Sequence, residues 1–140
     1  SYERWAPAVK SIDEFREGPG DSEVISTWFS ATLKRITELL QLPSNWDGYG
    51  ASEVRTEVAR RALTSLLSLL DDDSPTPSVV PLSDGGLQVE WHRHSRNLEI
   101  EFPASGSASF YFYGGTSDEE SEGLLPASNN EFRECLAQLA

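Results

Sequence analysis

Apolar residues recur at intervals of three and four in two stretches of the first half of the chain, which is the spacing of amphipathic helices. The first stretch, residues 23–42, is ended by Pro43 and can be capped by Asp21 or Ser22. The second stretch begins after Ser52, a natural N-cap. The two apolar stripes contain Ile25, Trp28, Phe29, Ile36, Leu39 and Leu40, and then Val54, Val58, Ala62, Leu63, Leu66, Leu67 and Leu70.

The connector between these two helices, residues 42–51, reads LPSNWDGYGA. Its glycines and its Asp-Gly pair are typical of a tight turn that needs positive φ. We therefore predict an antiparallel helix pair joined by a structured turn, which we call the NWDGYG corner (residues 45–50). After the second helix, three aspartates and the SPTP sequence of residues 74–77 cannot continue a helix, so they mark the main internal boundary.

Beyond this boundary the period of the pattern falls to two, as in half-buried strands. Apolar and polar positions alternate in residues 87–92, 97–102 and 108–113. Residues 78–82 form a short first strand, whose proline favours an edge position, and a hairpin turn follows it. The sequence therefore predicts an antiparallel meander.

The last part of the chain returns to helical spacing after a polar segment. Residues 114–123, GGTSDEESEG, are acidic and are predicted to form a mobile loop. Ser128 and Glu131 have capping-box spacing before a short C-terminal helix. We predict one two-layer α+β domain over residues 21–140, with the helix pair and the C-terminal helix packed on a three- to four-stranded antiparallel meander, and a partly helical N-terminal arm at residues 1–20.

Composition changes this picture mainly through charge. The 140 residues include 23 acidic and 11 basic ones, for a net charge of −12. This charge opposes contact with phosphates, so direct nucleic-acid binding is not expected. The single cysteine, Cys135, allows no internal disulfide, and no segment resembles a signal peptide or a membrane span. These features favour a cytoplasmic protein that does not enter a membrane.

The alternation of side chains along each strand determines which polar residues share one face of the sheet. The shortest turn that keeps Trp91 and Leu98 on one face of the sheet places a polar set on the other face. On that face Glu90 lies beside Glu99, and such like charges repel each other unless something offsets them. The candidate binding residues on this face are Glu90, His92, Glu99, Glu101, Tyr111 and Tyr113, with Gln88 beside Glu101 and Asn97 beside His92.

Two interpretations of this face remain open. Glu, His, Tyr and Asn together can bind a cation, a basic protein surface or a small ligand. Alternatively, the face is simply solvated and is neutralised by Arg93, Arg96 or the N-terminal arm. No ligand spacing diagnostic of a metal is present, so we predict no metal and no cofactor. His94 has the opposite parity and is interpreted as part of a turn rather than of a chelate.

The NWDGYG corner is the second candidate. Trp46 and Tyr49 are residue types preferred at protein interfaces, so with Asp47 they are candidate binding residues of a recognition loop. In the structural interpretation, Trp46 and Tyr49 fold back onto the helices and the sheet while Asp47 and the glycines shape the turn. Cys135 is interpreted as a small apolar residue. The sequence contains no nucleophile elbow, P-loop, dinucleotide fingerprint or zinc-protease helix, so an enzyme is not predicted.

Two motifs, LPSNWDGYGA at residues 42–51 and PSVVPLSDGGLQVEWHRHSRNLEIEF at residues 77–102, carry a resemblance. The chain resembles a widespread set of small bacterial proteins with an asparagine-tryptophan-aspartate-glycine-tyrosine-glycine corner and a glutamine-x-glutamate-tryptophan-histidine strand. The resemblance covers residues 42–113, about half of the chain. It implies a shared fold and a bacterial cytoplasmic setting, but no reaction.

Three classes of function remain in view. The leading hypothesis is a non-enzymatic acidic protein that docks on a basic protein partner, such as a nuclease or toxin, and inhibits or neutralises it, as antitoxins, immunity proteins and phage inhibitors do. The second is a small metal-dependent enzyme or ligand-binding module using Glu90, His92, Glu99 and Tyr111. The third is a structural subunit of a larger bacterial assembly.

Overall fold

The computed structural model describes residues 26–114 and 119–140. The predicted N-terminal arm at residues 1–20 and the predicted caps Asp21 and Ser22 lie outside the described residues. In chain order the elements are α1 (Thr27–Leu39), α2 (Thr56–Leu69), β1 (Ser78–Pro81), β2 (Leu87–Arg93), β3 (Arg96–Phe102), β4 (Ser109–Gly114), β5 (Glu120–Leu124) and α3 (Asn129–Ala137). The α+β class is confirmed, with one strand more than the predicted three or four.

The two long helices lie side by side. Trp28, in the first turn of α1, donates a hydrogen bond from Nε1 to the carbonyl oxygen of Asp71 at 2.8 Å, just beyond the end of α2. The start of α1 therefore lies beside the end of α2, as an antiparallel pair requires. Of the predicted stripe of α2, Leu67 is an exception, because its side chain is 40% exposed.

The prediction that Ser52 caps α2 is wrong, since this helix begins at Thr56 with Arg55 in the N-cap position. Tertiary hydrogen bonds explain the late start. The backbone N–H of Ser52 donates to the carbonyl of Ser83, and that of Arg55 donates to the carbonyl of Gly85. The segment before α2 is therefore hydrogen-bonded to the β1–β2 turn, and these hydrogen bonds compete with those that would extend the helix.

The five strands form one antiparallel sheet in chain order, with β1 at one edge and β5 at the other. The predicted register of β2 and β3 is confirmed, because Trp91 pairs with Leu98 and Glu90 pairs with Glu99. His94 and Ser95 form the connecting two-residue turn with positive φ angles of 54° and 62°. Positive φ at both central residues is the mark of the hairpin turn that matches strand twist.

Residues 120–123, which were predicted to lie in a mobile loop, belong instead to the edge strand β5. Its backbone pairs with β4, from Ser109 opposite Leu124 to Tyr113 opposite Glu120. None of its five residues is buried, so the strand carries no apolar alternation. Backbone hydrogen bonds at the sheet edge therefore define β5, and hydrophobic patterning could not reveal it.

The hydrophobic core fills the space between the helices and the inner face of the sheet. Phe132 of α3 stacks edge-on against Trp91 and Phe110, with ring centroids 5.8 and 5.7 Å away. Ser128 occupies the N-cap position of α3 as predicted, but its side chain makes no capping hydrogen bond. The inner-face residues Val79, Leu87, Val89, Trp91, Leu98, Ile100, Phe102, Phe110 and Phe112 are all buried.

Among the described residues, no helix has both the length and the apolar character needed to cross a membrane.

Candidate functional site

The side of the sheet opposite the core, which we call the outer face, is defined by three rows of paired residues. The structure places all six candidate residues of the sheet on this face and adds Glu120 and Glu122 from β5. The rows run across the strands as Val80, Gln88, Glu101, Ser109 and Leu124; as Ser78, Glu90, Glu99, Tyr111 and Glu122; and as His92, Asn97, Tyr113 and Glu120.

The repelling pair Glu90 and Glu99 is bridged by a neutral amide. Gln88 donates from Nε2 to Glu90 Oε2 at 2.8 Å and points the same nitrogen at Glu99 Oε2, 3.5 Å away. Both glutamates are only half-exposed. An amide can satisfy carboxylate lone pairs, but it carries no positive charge to cancel theirs. The amide therefore leaves the negative charge of the pair uncancelled.

His92, in the third row of the outer face, lies between two hydrogen-bond acceptors, Asn97 and Glu90. One ring nitrogen, Nδ1, is hydrogen-bonded to Asn97 Oδ1, and the other, Nε2, lies 3.2 Å from Glu90 Oε1. Only the protonated ring can donate to both partners. The hydrogen bond to Asn97, followed by that to Glu90, raises the pKa of His92 above its ordinary value.

Tyrosines occupy the part of the outer face nearest to β5. Tyr111 donates its hydroxyl proton to Glu120 Oε1 at 2.7 Å, and this hydrogen bond is the main cause that raises the pKa of Tyr111 to about 12. The rings of Tyr111 and Tyr113 lie 5.5 Å apart. Tyr113 is 40% exposed, and Leu124 in the edge strand is 59% exposed. The β4–β5 edge of the outer face therefore combines aromatic and apolar surface with carboxylates.

The outer face holds five glutamates and no lysine or arginine. The sequence interpretation that Arg93 and Arg96 neutralise it is not supported by the register. These two arginines pair with each other and have the same parity as Trp91 and Leu98, so they belong to the opposite side of the sheet. The cationic partner that the structure gives this face among the described residues is His92, through its contact with Glu90.

A second carboxylate-rich feature adjoins the outer face at β5. A pocket of about 260 Å³, which we call the carboxylate pocket, lies between β5 and α3. Glu119, Glu120, Glu131 and Glu134 line it, and no basic residue does. Cys135 also lines it, but its side chain is only 5% exposed and burial raises the pKa of its thiol. The thiol is therefore a poor nucleophile at neutral pH, in agreement with its interpretation as a packing residue.

The NWDGYG corner lies between α1 and α2 and supplies no strand residue, so the nine candidate residues fall into two groups rather than one site. Asp47 shapes the turn by accepting from the backbone N–H groups of Tyr49 at 2.8 Å and Ala51 at 3.1 Å. Half-buried Trp46 donates from Nε1 to the carbonyl of Ser52 at 3.0 Å. Gly48 has a positive φ of 78°, as the turn chemistry predicted.

Tyr49 does not fold back onto the helices and the sheet, which corrects the structural interpretation of the corner. Its side chain is 93% exposed. The physical reason is that Asp47 holds the backbone of Tyr49 at the tip of the turn, beyond the reach of the core. Of the two aromatic residues of the corner, Trp46 therefore has a structural contact and Tyr49 offers free surface.

The geometry gives no support to a metal-dependent module. Within residues 26–114 and 119–140, no group of three His, Cys, Asp or Glu side chains converges in a way that could hold a metal ion. The cross-strand row places Tyr111, rather than a further imidazole or carboxylate, next to Glu99. Paired carboxylates alone do not supply the converging ligands that a protein metal site requires.

Comparisons of the chain with protein-family models, with curated proteins and with solved structures found no match. The outer face, the carboxylate pocket and the corner are therefore interpreted from their own geometry and charge.

The pKa of His92 provides a direct check of the outer face. In an NMR pH titration, His92 should titrate above its ordinary pKa, and Asn97→Ala should lower that pKa because Asn97 is the largest cause of the shift. The associated stability is present below about pH 6.5 and is lost as pH rises through the raised folded-state pKa. The side chain is half-exposed, so this stability effect is small. Equal His92 pKa values in the two proteins would show that the Asn97 contact is not formed in solution.

Proposed function

We propose that the protein is a non-enzymatic binding protein that uses the outer face to dock on a basic protein partner. The observation that carries this proposal is the charge arrangement of the face, in which five glutamates occupy three adjacent rows without a lysine or arginine among them. A face of one sign on a chain with a net charge of −12 steers a positively charged partner toward it.

The repulsion between the paired carboxylates favours the binding of a cation at the outer face. Glu90 and Glu99 face each other directly, and the only side chain that bridges them among the described residues is the neutral amide of Gln88. An arginine placed over this pair could donate to both carboxylates and relieve their repulsion. The interaction is thus more favourable than that of an isolated surface glutamate, whose ion pairs contribute little.

Uncharged surface along the β4–β5 edge of the face supports a protein rather than a small cation as the partner. Tyr113 and Leu124 are substantially exposed and lie close to the glutamates of β5. Protein interfaces commonly combine such aromatic and apolar anchors with a polar rim. The carboxylate pocket beside β5 offers an adjoining position for a lysine or arginine side chain of the same partner.

The chemistry of the face narrows the class of partner. Nucleases and many toxins present lysine and arginine surfaces that bind phosphates, and an acidic protein can occupy such a surface. We therefore place the protein among inhibitors of this kind, such as antitoxins, immunity proteins and phage inhibitors, acting in the cytoplasm. The NWDGYG corner, with exposed Tyr49, is the alternative docking surface.

The proposal can be tested with the full chain as bait in a lysate of the native host. We expect a stoichiometric basic protein to co-purify at about 50 mM salt and to be released at several hundred millimolar salt, since surface electrostatic attraction is screened. For the identified partner, replacing both Glu90 and Glu99 with Gln should weaken binding about tenfold or more, mainly by slowing association. The free variant should be as stable as the original chain or slightly more stable, because the change removes a repulsive pair.

The matched control replaces Asp72 and Asp73 with Asn, which changes the net charge equally at exposed positions between α2 and β1. This control should alter the affinity only slightly. Equal losses in the two variants would indicate net charge rather than the outer face as the cause. Unchanged affinity in the Glu90 and Glu99 variant would discard this face, and absence of any partner at all salt concentrations would discard the proposal.

A further inference from the structure

A second pocket lies away from the outer face and has the opposite electrostatic character. It has a volume of about 440 Å³ and opens between α2, the segment after β3 and the connection from β5 to α3. This volume is within the range of pockets that enclose small organic ligands. None of the pocket residues belongs to the candidate set of the outer face or the corner.

The interior of this pocket is apolar. Leu69 from α2, Phe102 from the end of β3 and Leu125 beyond β5 line it, and all three belong to the hydrophobic core. Their exposed fractions are 5%, 1% and 8%. The pocket therefore reaches the core surface, so a ligand that enters it must bring an apolar body to benefit from the contact.

The charged groups of the pocket are two arginines, Arg60 and Arg61, and no acidic residue lines it. In a chain with 23 acidic and 11 basic residues, this pocket has the opposite sign of charge. Arg61 is held in place because its guanidinium donates to the carbonyls of Gly106 at 2.9 Å and Pro103 at 2.7 Å. Arg61 therefore contributes a fixed positive charge to the pocket, whereas Arg60 has the donor without an acceptor.

Two buried polar atoms of the pocket residues lack hydrogen-bond partners. Arg60 Nε is a donor without an acceptor, since the nearest carboxylate oxygen, on Glu57, lies 3.9 Å away in a long ion pair. Asn129 Oδ1, at the start of α3, is an acceptor without a donor. Buried polar groups are normally satisfied, so each of these atoms indicates what a ligand could offer.

We propose that this pocket binds a small hydroxylated carboxylic acid with an apolar body. The carboxylate accepts hydrogen bonds from Arg60, the hydroxyl donates to Asn129 Oδ1, and the apolar body covers Phe102 and the neighbouring leucines. This ligand class matches the sign of the charge, the apolar lining and both unsatisfied atoms. The proposal is independent of docking at the outer face.

The test uses three probes that share a naphthalene body: 6-hydroxy-2-naphthoate, 2-naphthoate and 2-naphthylmethylammonium. Binding to the full chain is followed by NMR chemical-shift titration. We expect the hydroxylated carboxylate to bind most tightly and the ammonium compound most weakly, although the net charge of −12 favours cations in general. The shifted signals should belong to α2, residues 102–108 and residues 125–129.

Variants identify the contacts. Arg60→Gln should weaken both carboxylates about tenfold and leave the ammonium probe nearly unchanged, since a hydrogen bond to a charged group is lost. Asn129→Ala should remove the advantage of the hydroxylated probe over 2-naphthoate. The control is Arg93→Gln, an exposed arginine outside the pocket, which should change none of these affinities.

Several results would overturn the proposal. One is preference for the ammonium probe over the carboxylates in the unaltered chain, a comparison that needs no variant to fold. Another is an equal loss for all three probes in Arg60→Gln, which would indicate a general structural effect. Signals that shift outside the pocket, or no shift with any probe at millimolar concentration, would also reject it.

Discussion

Trp91→Ala should lower the free energy of unfolding by about 3–5 kcal/mol, as expected when a large aromatic residue is removed from a packed core. Trp91 is only 2% exposed and points from β2 into the space between the sheet and the helices. It packs edge-on against Phe132 of α3 and donates from Nε1 to the carbonyl of Pro75 at 2.7 Å. The substitution therefore creates a cavity and also leaves a partly buried acceptor without its donor.

Two variants separate these contributions in urea denaturation. Trp91→Phe keeps an aromatic ring but loses the Nε1 donor, so it should destabilise the protein by less than the alanine variant does. Tyr113→Ala removes an aromatic residue from the outer face of β4, where the side chain is 40% exposed, and should cost less than about 1 kcal/mol. A loss below about 1 kcal/mol for Trp91→Ala would contradict the observed strand parity.

The central hairpin shows why part of this fold could be predicted. In residues 87–92 and 97–102, apolar and polar residues alternate, and a shift of one residue would bury Glu90 and Glu99. Only registers that place Trp91 and Leu98 on the same face are compatible with that pattern. With the shortest, two-residue turn, the pairing of Glu90 with Glu99 then follows from that register.

Other features depend on contacts between distant segments. Helix α2 begins at Thr56 rather than after Ser52 because the backbone of Ser52 and Arg55 bonds to the β1–β2 turn. The strand β5 has Ser121 and Gly123 at the core-facing positions where the pattern of a strand needs apolar residues. Local sequence signals contain no information about either hydrogen-bonding partner, so tertiary contacts overrode them.

The pocket at Arg60 and Asn129 illustrates the same limit for function. Its lining comes from α2, from residues 102–108 and from residues 125–129, which are far apart in the chain. No motif links them, and the negative charge of the whole chain conceals the local excess of arginine. The part of the outer face on β2, β3 and β4, in contrast, belongs to neighbouring strands of a meander, so its residues follow from spacing alone.

Gly86→Ala is expected to destabilise the fold by about 3 kcal/mol, at the upper end of the usual cost of overpacking. Gly86 ends the β1–β2 turn and is buried. An added Cβ would overlap the carbonyl oxygen of Phe102 and lie 3.0 Å from Pro103 Cα. These neighbours are backbone atoms, which cannot move aside as a flexible side chain can. The turn is also held by Asp84, whose carboxylate accepts from the N–H groups of Gly86 and Ala104.

The control for Gly86→Ala is Gly48→Ala in the NWDGYG corner. Gly48 has a φ of +78°, but an added Cβ there meets no atom within 4 Å. Its cost should be about 1 kcal/mol, since only the left-handed backbone conformation is penalised. Urea denaturation of both variants therefore distinguishes crowding from backbone strain. If Gly86→Ala lowered the free energy of unfolding no more than Gly48→Ala, the turn would have room to move away from Phe102. That result would contradict close packing of the β1–β2 turn against the end of β3.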